Sequence, residues 1–194
     1  MALTETIQYD LGYKAPFFAL IDVVSDEIIT PQDVAGRKGL VVMFICNHCP
    51  YVIHLRNELV KLANDYQKKG FGFLAISSND IDKYPEDAPD KMRELARVMN
   101  FPFPYVYDVT QSVAKAYKAS CTPDFSVFDH QLTCVYRGRL DGSNPGNDVP
   151  VTGEDLRQLF DAVLNREQIP SRQLPSMGCN ICLLYTSPSP RDRV

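Results

Sequence analysis

The run LVVMFI, Leu40 to Ile45, is apolar at every position and has the length of a strand buried on both faces. The spacing then changes. Val52, Leu55, Leu59, Leu62 and Tyr66 recur every three or four residues, which predicts one face of a helix, and Lys68-Lys69-Gly70 gives it a C-terminal stop. Phe71 to Ser77 (FGFLAIS) is the next strand, followed by a loop, SNDIDKYPEDAP. Met92, Leu95 and Met99 predict a helix closed by Asn100 and Pro102, and Tyr105 to Tyr107 a short strand. Thr110 to Lys118 reads as a helix with Val113, Ala114 and Tyr117 inward. Phe125 to Phe128 and Leu132 to Arg137 flank Asp129-His130-Gln131 as a hairpin. A loop from Gly142 to Val151 leads to Thr152-Gly153-Glu154-Asp155, which has the form of a capping box. The helix after it carries the face Leu156, Leu159, Phe160, Val163 and Leu164; from Ile169 the periodicity stops. Before residue 39, PFFALIDVV and EIITPQDV suffice for a small hairpin and a short turn.

Strand, helix and strand in succession imply parallel pairing through a crossover, and the later hairpin adds antiparallel strands. The expected fold class is therefore α/β, a mixed central sheet flanked by helices. The expected divisions are an N-terminal arm (1–12), one domain (13–170), an extension (171–181) and a tail (182–194). Hydrophobic content of 45% and charged content of 23% are ordinary for a globular domain. A net charge of −4 argues against nucleic acid as a partner, since phosphate binding needs a basic face. No apolar run reaches the roughly 20 residues of a membrane-spanning helix, so no membrane partner is expected. MALTETIQYDLGYK lacks a basic start followed by an apolar block. The expectation is no signal peptide and a cytoplasmic, reducing setting, where cysteines serve catalysis, metals or the core more often than structural disulfides.

The tail changes the cysteine count. CLLYTSPSPRD, Cys182 to Asp192, resembles one reading frame of a widely used transposon-end sequencing adapter, codon for codon. It is set aside as foreign, and with it the second Cys-x-x-Cys, Cys179 to Cys182. Of six cysteines, Cys46, Cys49, Cys121, Cys134 and Cys179 remain.

Cys46-Asn47-His48-Cys49 falls where the buried strand gives way to the helix. A helix N-terminus offers free amides and partial positive charge, and both stabilise a thiolate. His48 is placed to add a charge or hydrogen bond. Cys46, at an exposed strand end, is expected to be the nucleophile. Cys49, in the first helical turn, is expected to resolve the mixed disulfide, with Pro50 tolerated so early in the helix. Catalytic roles thus fall to Cys46, Cys49 and His48, at the carboxyl end of a central strand, where open α/β sheets place their chemistry.

The wider string VMFICNHCPYV, AISSND, YPEDAPDKM, FPYVYD, AKAY, CTPDFSVFD, YRG, PVTGEDL and PSMGCNI resembles thioredoxin-like redoxins. Within them it is similar to the alkyl hydroperoxide reductase/thiol-specific antioxidant branch, from about Tyr13 to Ile181. The resemblance implies a thioredoxin-like fold, Cys46 and Cys49 as a redox pair, and Thr122-Pro123 as the cis-proline turn that binds an extended substrate. Two departures bear on activity. The position before Cys46 is Ile45, and the chain has no Trp, so thioredoxin's substrate preference does not carry over. Aligning Cys49 with a peroxiredoxin's reactive cysteine puts Cys46 and Val42 where its Thr and Pro belong.

The leading expectation is a thiol–disulfide oxidoreductase acting on protein or small-molecule disulfides, reduced by an external thiol system such as thioredoxin, with no cofactor. A thiol peroxidase acting on peroxide is the first alternative. A copper- or zinc-binding protein is the second, with Cys46, Cys49, His48 or His54 and Cys121 as ligand types; a resident metal is not expected. Cys121 and Cys179 are auxiliary thiols, and Cys134 a core thiol. His54 and His130 read as surface residues and Arg137 and Arg139 as solvated strand-end arginines. Asp80, Asp82, Glu86, Asp87 and Asp90 read as a solvated acidic loop.

Overall fold

The computed structural model describes residues 3–6, 10–170 and 173–181. The adapter-like tail lies outside them. In chain order the elements are β1 (Leu3–Glu5), β2 (Leu20–Ile21), β3 (Ile28–Ile29), α1 (Pro31–Val34), β4 (Gly39–Phe44), α2 (Pro50–Gln67) and β5 (Phe71–Ser77). A 3-10 turn (Pro85–Asp87) precedes α3 (Pro89–Val98), β6 (Tyr105–Tyr107), α4 (Ser112–Ala116), β7 (Cys121–Thr122) and β8 (Asp124–Phe128). β9 (Cys134–Gly138), α5 (Glu154–Asn165) and β10 (Met177–Asn180) complete them.

The central sheet has the order β6-β5-β4-β8-β9. β4 pairs in parallel with β5, and β5 with β6, while β8 and β9 run antiparallel. This is the mixed sheet the pattern predicts. β4 sits at its centre, and its alternate residues feed two cores. Val41 and Met43 pack with α2, α3 and α5, and Leu40, Val42 and Phe44 with α4 and the N-terminal segment around Phe18. Burial on both faces is why the run carries no alternation.

Several expectations are corrected. The capping box at Thr152 is not formed, because α5 starts after Gly153, in the left-handed region, and the amides of Thr152 and Gly153 donate to Asp141. A capping box forms instead at Thr30 and Asp33. Leu132 lies in a left-handed turn and not in a strand. Arg137 is not solvated: it is 1% exposed, pairs with the buried Asp124 at 2.9 Å and donates to the carbonyls of Tyr117 and Lys118. Arg139 is half-buried against Asp155. His54 is half-buried, with no polar partner at Nε2. Cys134 is a buried core thiol, as expected, and His130 is exposed.

The pattern does not predict β1 and β10. They form a second sheet, β1-β10-β7, in which Cys179 lies opposite Thr122 and Asn180 opposite Cys121. Gly178 lets the two strands approach, since a Cβ there would lie 1.9 Å from the Thr122 carbonyl oxygen. Gly178→Ala is predicted to force β10 away from β7, at about 2 kcal/mol. A urea midpoint unchanged from the parent would refute that packing role.

Candidate functional site

Just past the strand the Ile45 N–H donates to the Ile76 carbonyl, and the chain then turns through Cys46-Asn47-His48. Cys49 is the N-cap of α2 and not a residue of its first turn: its backbone is extended, Pro50 takes N1, and the Cys49 carbonyl accepts from Ile53. Proline fits N1 because that position's N–H has no intrahelical partner. The exposed strand end expected for Cys46 is not found. Cys46 is 1% exposed and Cys49 0%, because the 121–123 turn and β10 cover them.

The Thr122–Pro123 bond is cis, as the resemblance implies. Thr122 faces both sulfurs. Its Oγ1 lies 3.4 Å from Cys46 Sγ, and its carbonyl accepts from the Cys49 thiol at 3.1 Å. Strand alternation turns Cys121 the other way, onto Thr6 Oγ1 and the Pro123 carbonyl. Burial pushes its thiol up to about 12. The same pairing brings Cys179 in: it lies in one buried cluster with Cys46 and Cys49, and its thiol is pushed up to about 12 by burial and then by Cys49. Of the two auxiliary thiols, one joins the site.

His48 has a ring nitrogen within 4.8 Å of the Cys46 sulfur and is tied to Asp87. Its Nδ1 is 2.7 Å from Asp87 Oδ2, and its ring stacks on Tyr84 with centroids 4.2 Å apart. Asp87 is wholly buried, which overturns its reading as part of a solvated loop. It accepts from the amides of Asn47 and His48, at 2.7 and 3.3 Å, and from Asn79 Nδ2 at 2.8 Å. Asn47 in turn donates to the Glu86 carbonyl and accepts from Tyr105. A buried carboxylate is tolerable when several donors converge on it, and here the Cys-x-x-Cys turn supplies most of them. The signal for this was the pair Pro85 and Pro89 around Asp87, which marks a tight turn instead of a free loop.

The titrations of the two thiols are linked. A hydrogen bond from the Cys46 thiol pulls Cys49 down to about 5 against its burial, helped by Thr122, Cys179 and the Val52 amide. That same hydrogen bond, then burial and the charge of Asp87, hold Cys46 well above the ordinary thiol range. The resting charge therefore sits on Cys49. The alternative proton position is also furnished, because a protonated Cys49 donates to Thr122 while Oγ1 of that residue faces Cys46. As a metal set, one atom each from Cys46, His48 and Asp87 come within 4.8 Å of one another, without Cys121 or His54.

The model of the AhpC/TSA family matches residues 11–137. The structure is similar to that of an uncharacterized conserved protein from Geobacillus kaustophilus, at 51% identity and TM-score 0.93, covering 96% of this chain and 98% of that one. A hypothetical protein from Sinorhizobium meliloti 1021 is 40% identical, with TM-score 0.90 and coverage of 93% and 98%. A putative thiol:disulfide interchange protein from Chlorobium tepidum, 19% identical with TM-score 0.62 and coverage of 81% and 99%, shares the fold. No curated protein matches the chain.

In the reduced protein, ultraviolet thiolate absorbance is predicted to correspond to about one thiolate per chain at neutral pH. It should vanish as pH falls through about 5, the value set for Cys49. Cys49→Ser should lack the transition near 5. Retention of the acid transition in that variant would contradict the assignment.

Proposed function

The chain belongs to the AhpC/TSA family and is a redoxin, an oxidoreductase, and on that premise we propose that it is a thiol–disulfide oxidoreductase working through Cys46 and Cys49. The observation that carries this reading is the meeting of both sulfurs at Thr122, opposite the cis-proline turn. Cys46 passes its proton along the S–H···S hydrogen bond to Cys49 and attacks the substrate disulfide as a thiolate beside Thr122 Oγ1. Cys49, its proton then directed at the Thr122 carbonyl, loses that proton and attacks the mixed disulfide at Cys46. One thiol leaves in each step, and the protein ends as the Cys46–Cys49 disulfide. An external dithiol, in a reducing compartment such as the cytoplasm, restores it. His48 and Asp87 act as positioning residues that hold the turn, and Thr122 and Pro123 bind the substrate strand.

The peroxidase reading draws less support. Val42 points into the core away from the thiols, Cys46 occupies the position of the activating Thr, and Arg137 is paired with Asp124. The convergence of Cys46, His48 and Asp87 favours a second reading, zinc or copper binding. It ranks lower because Asp87 already accepts hydrogen bonds from the turn.

In a coupled assay of protein-disulfide reduction, Cys46→Ser and Cys49→Ser are each expected to lower turnover about a hundredfold or more. Cys49→Ser should also accumulate a mixed disulfide on Cys46, which Cys46→Ser cannot. Equal turnover in both variants and the parent would sink the proposal. Reduced protein prepared without chelator is expected to carry far less than one zinc or copper per chain. Stoichiometric metal that blocks alkylation of Cys46 would reverse the ranking.

A further inference from the structure

Cys179 is a buried thiol for which the exchange cycle has no use. It reaches the site from the far end of the chain, on a strand held opposite Thr122. It is 7% exposed and shares one buried cluster with Cys46 and Cys49. Its strand partner Thr122 is the residue whose hydroxyl faces Cys46 and whose carbonyl accepts from Cys49, so the pairing brings Cys179 to the same residue as both sulfurs.

We propose that Cys49 is the shared sulfur of two alternative disulfides, Cys46–Cys49 and Cys49–Cys179, so that the oxidised protein exchanges between them. This deepens the reading of Cys46 and Cys49 as a redox pair and rests on it. In the exchange, the Cys179 thiolate attacks the sulfur of Cys49. The Cys49–Cys179 bond forms, the Cys46–Cys49 bond breaks, and Cys46 leaves as a thiolate that takes up the proton Cys179 gave away. No electrons enter or leave, so no further reactant is needed. The product carries the oxidation on Cys49 and Cys179 and leaves Cys46 as a thiol.

The electrostatics make the third thiol responsive to the state of the pair. In the dithiol form Cys179 is held at about 12 by burial, then by its hydrogen bond to Cys49 and by the charge on Cys49. Oxidation of the pair removes that charge, and with it two of the three causes. Cys179 is therefore a poor nucleophile beside a reduced pair and a better one beside an oxidised pair.

The test uses the full chain, oxidised with a small-molecule disulfide and quenched by alkylation, with disulfides mapped by peptide mass. Cys46→Ser should close Cys49–Cys179 in most chains. Cys49→Ser should form no disulfide between Cys46 and Cys179, since each has lost its partner. Free Cys49 and Cys179 in Cys46→Ser, under conditions that close Cys46–Cys49 in the parent, would overturn the proposal and leave the redox pair intact. A Cys46–Cys179 disulfide in Cys49→Ser would overturn the central place of Cys49. Should the parent itself fail to close Cys46–Cys49, the redox-pair reading fails, while the Cys46→Ser result still decides whether Cys49 and Cys179 join.

Discussion

One residue, Thr122, meets all three thiols. Its hydroxyl faces Cys46, its carbonyl accepts from Cys49, and its backbone is paired with Cys179. These are separate groups of one residue, so the thiols cannot be arranged independently. The position of Thr122 is itself fixed from both sides. Ahead of it in the chain, β7 is paired with β10; after Pro123, Asp124 is anchored by the buried Arg137. A buried ion pair is weak support for net stability, but removing one partner leaves a charge uncompensated. The pair thus works as a stop against displacement of the turn more than as a source of stability.

The opposite wall of the site is built on a different economy of donors. Asp87 gathers the amides of Asn47 and His48, the imidazole and the Asn79 amide. Those donors converge on one carboxylate in the turn between a strand and a helix, which is what allows it to be buried. Placing a carboxylate there has an electrostatic consequence, because its charge adds to the interaction with Cys49 and to burial in holding the Cys46 thiol above the ordinary range. The helix N-terminus favours the thiolate on Cys49, since Cys49 and not Cys46 is its cap.

Legibility in the sequence followed the range of the interactions. The parallel core was readable because Leu40–Ile45 and Phe71–Ser77 are apolar enough to demand burial on both faces, and the intervening helix repeats at 3.6. The pair Cys46 and Cys49 was readable because strand end and helix start are local facts. β10 was not: MGCN has one apolar side chain at its start, a glycine and an asparagine, and becomes a strand only by pairing with segments far away in the chain. The burial of Asp87 and Arg137 was hidden for a related reason. Charged residues read as solvated unless partners are known, and theirs come from the Cys-x-x-Cys turn and from Asp124. The N-cap position of Cys49 differs from the expected first turn by a single residue, yet that residue decides which sulfur the helix stabilises.

Burial of both reactive sulfurs sets a condition on any chemistry at this site. A substrate disulfide must line up with the attacking sulfur, and neither sulfur is accessible in this conformation. The cleft beside Pro123 is lined by Tyr51, Leu55, Ser176 and Met177 and by neither of the two sulfurs. Access therefore requires one wall to move. The Asp87 wall is tied by several charge-assisted bonds to one buried carboxylate. The β10 wall is held by short ladders, two residue pairs to β7 with one further bond from the Ile181 amide to Ser120, and three pairs to β1. Short ladders of this kind lie at the low-stability end of local opening, so β10 is the wall that can yield. Its displacement would carry Cys179 away from Cys49 as it uncovers the pair. Access of substrate to the pair and contact of the third thiol with it are thus mutually exclusive, which orders exchange with substrate before exchange with Cys179.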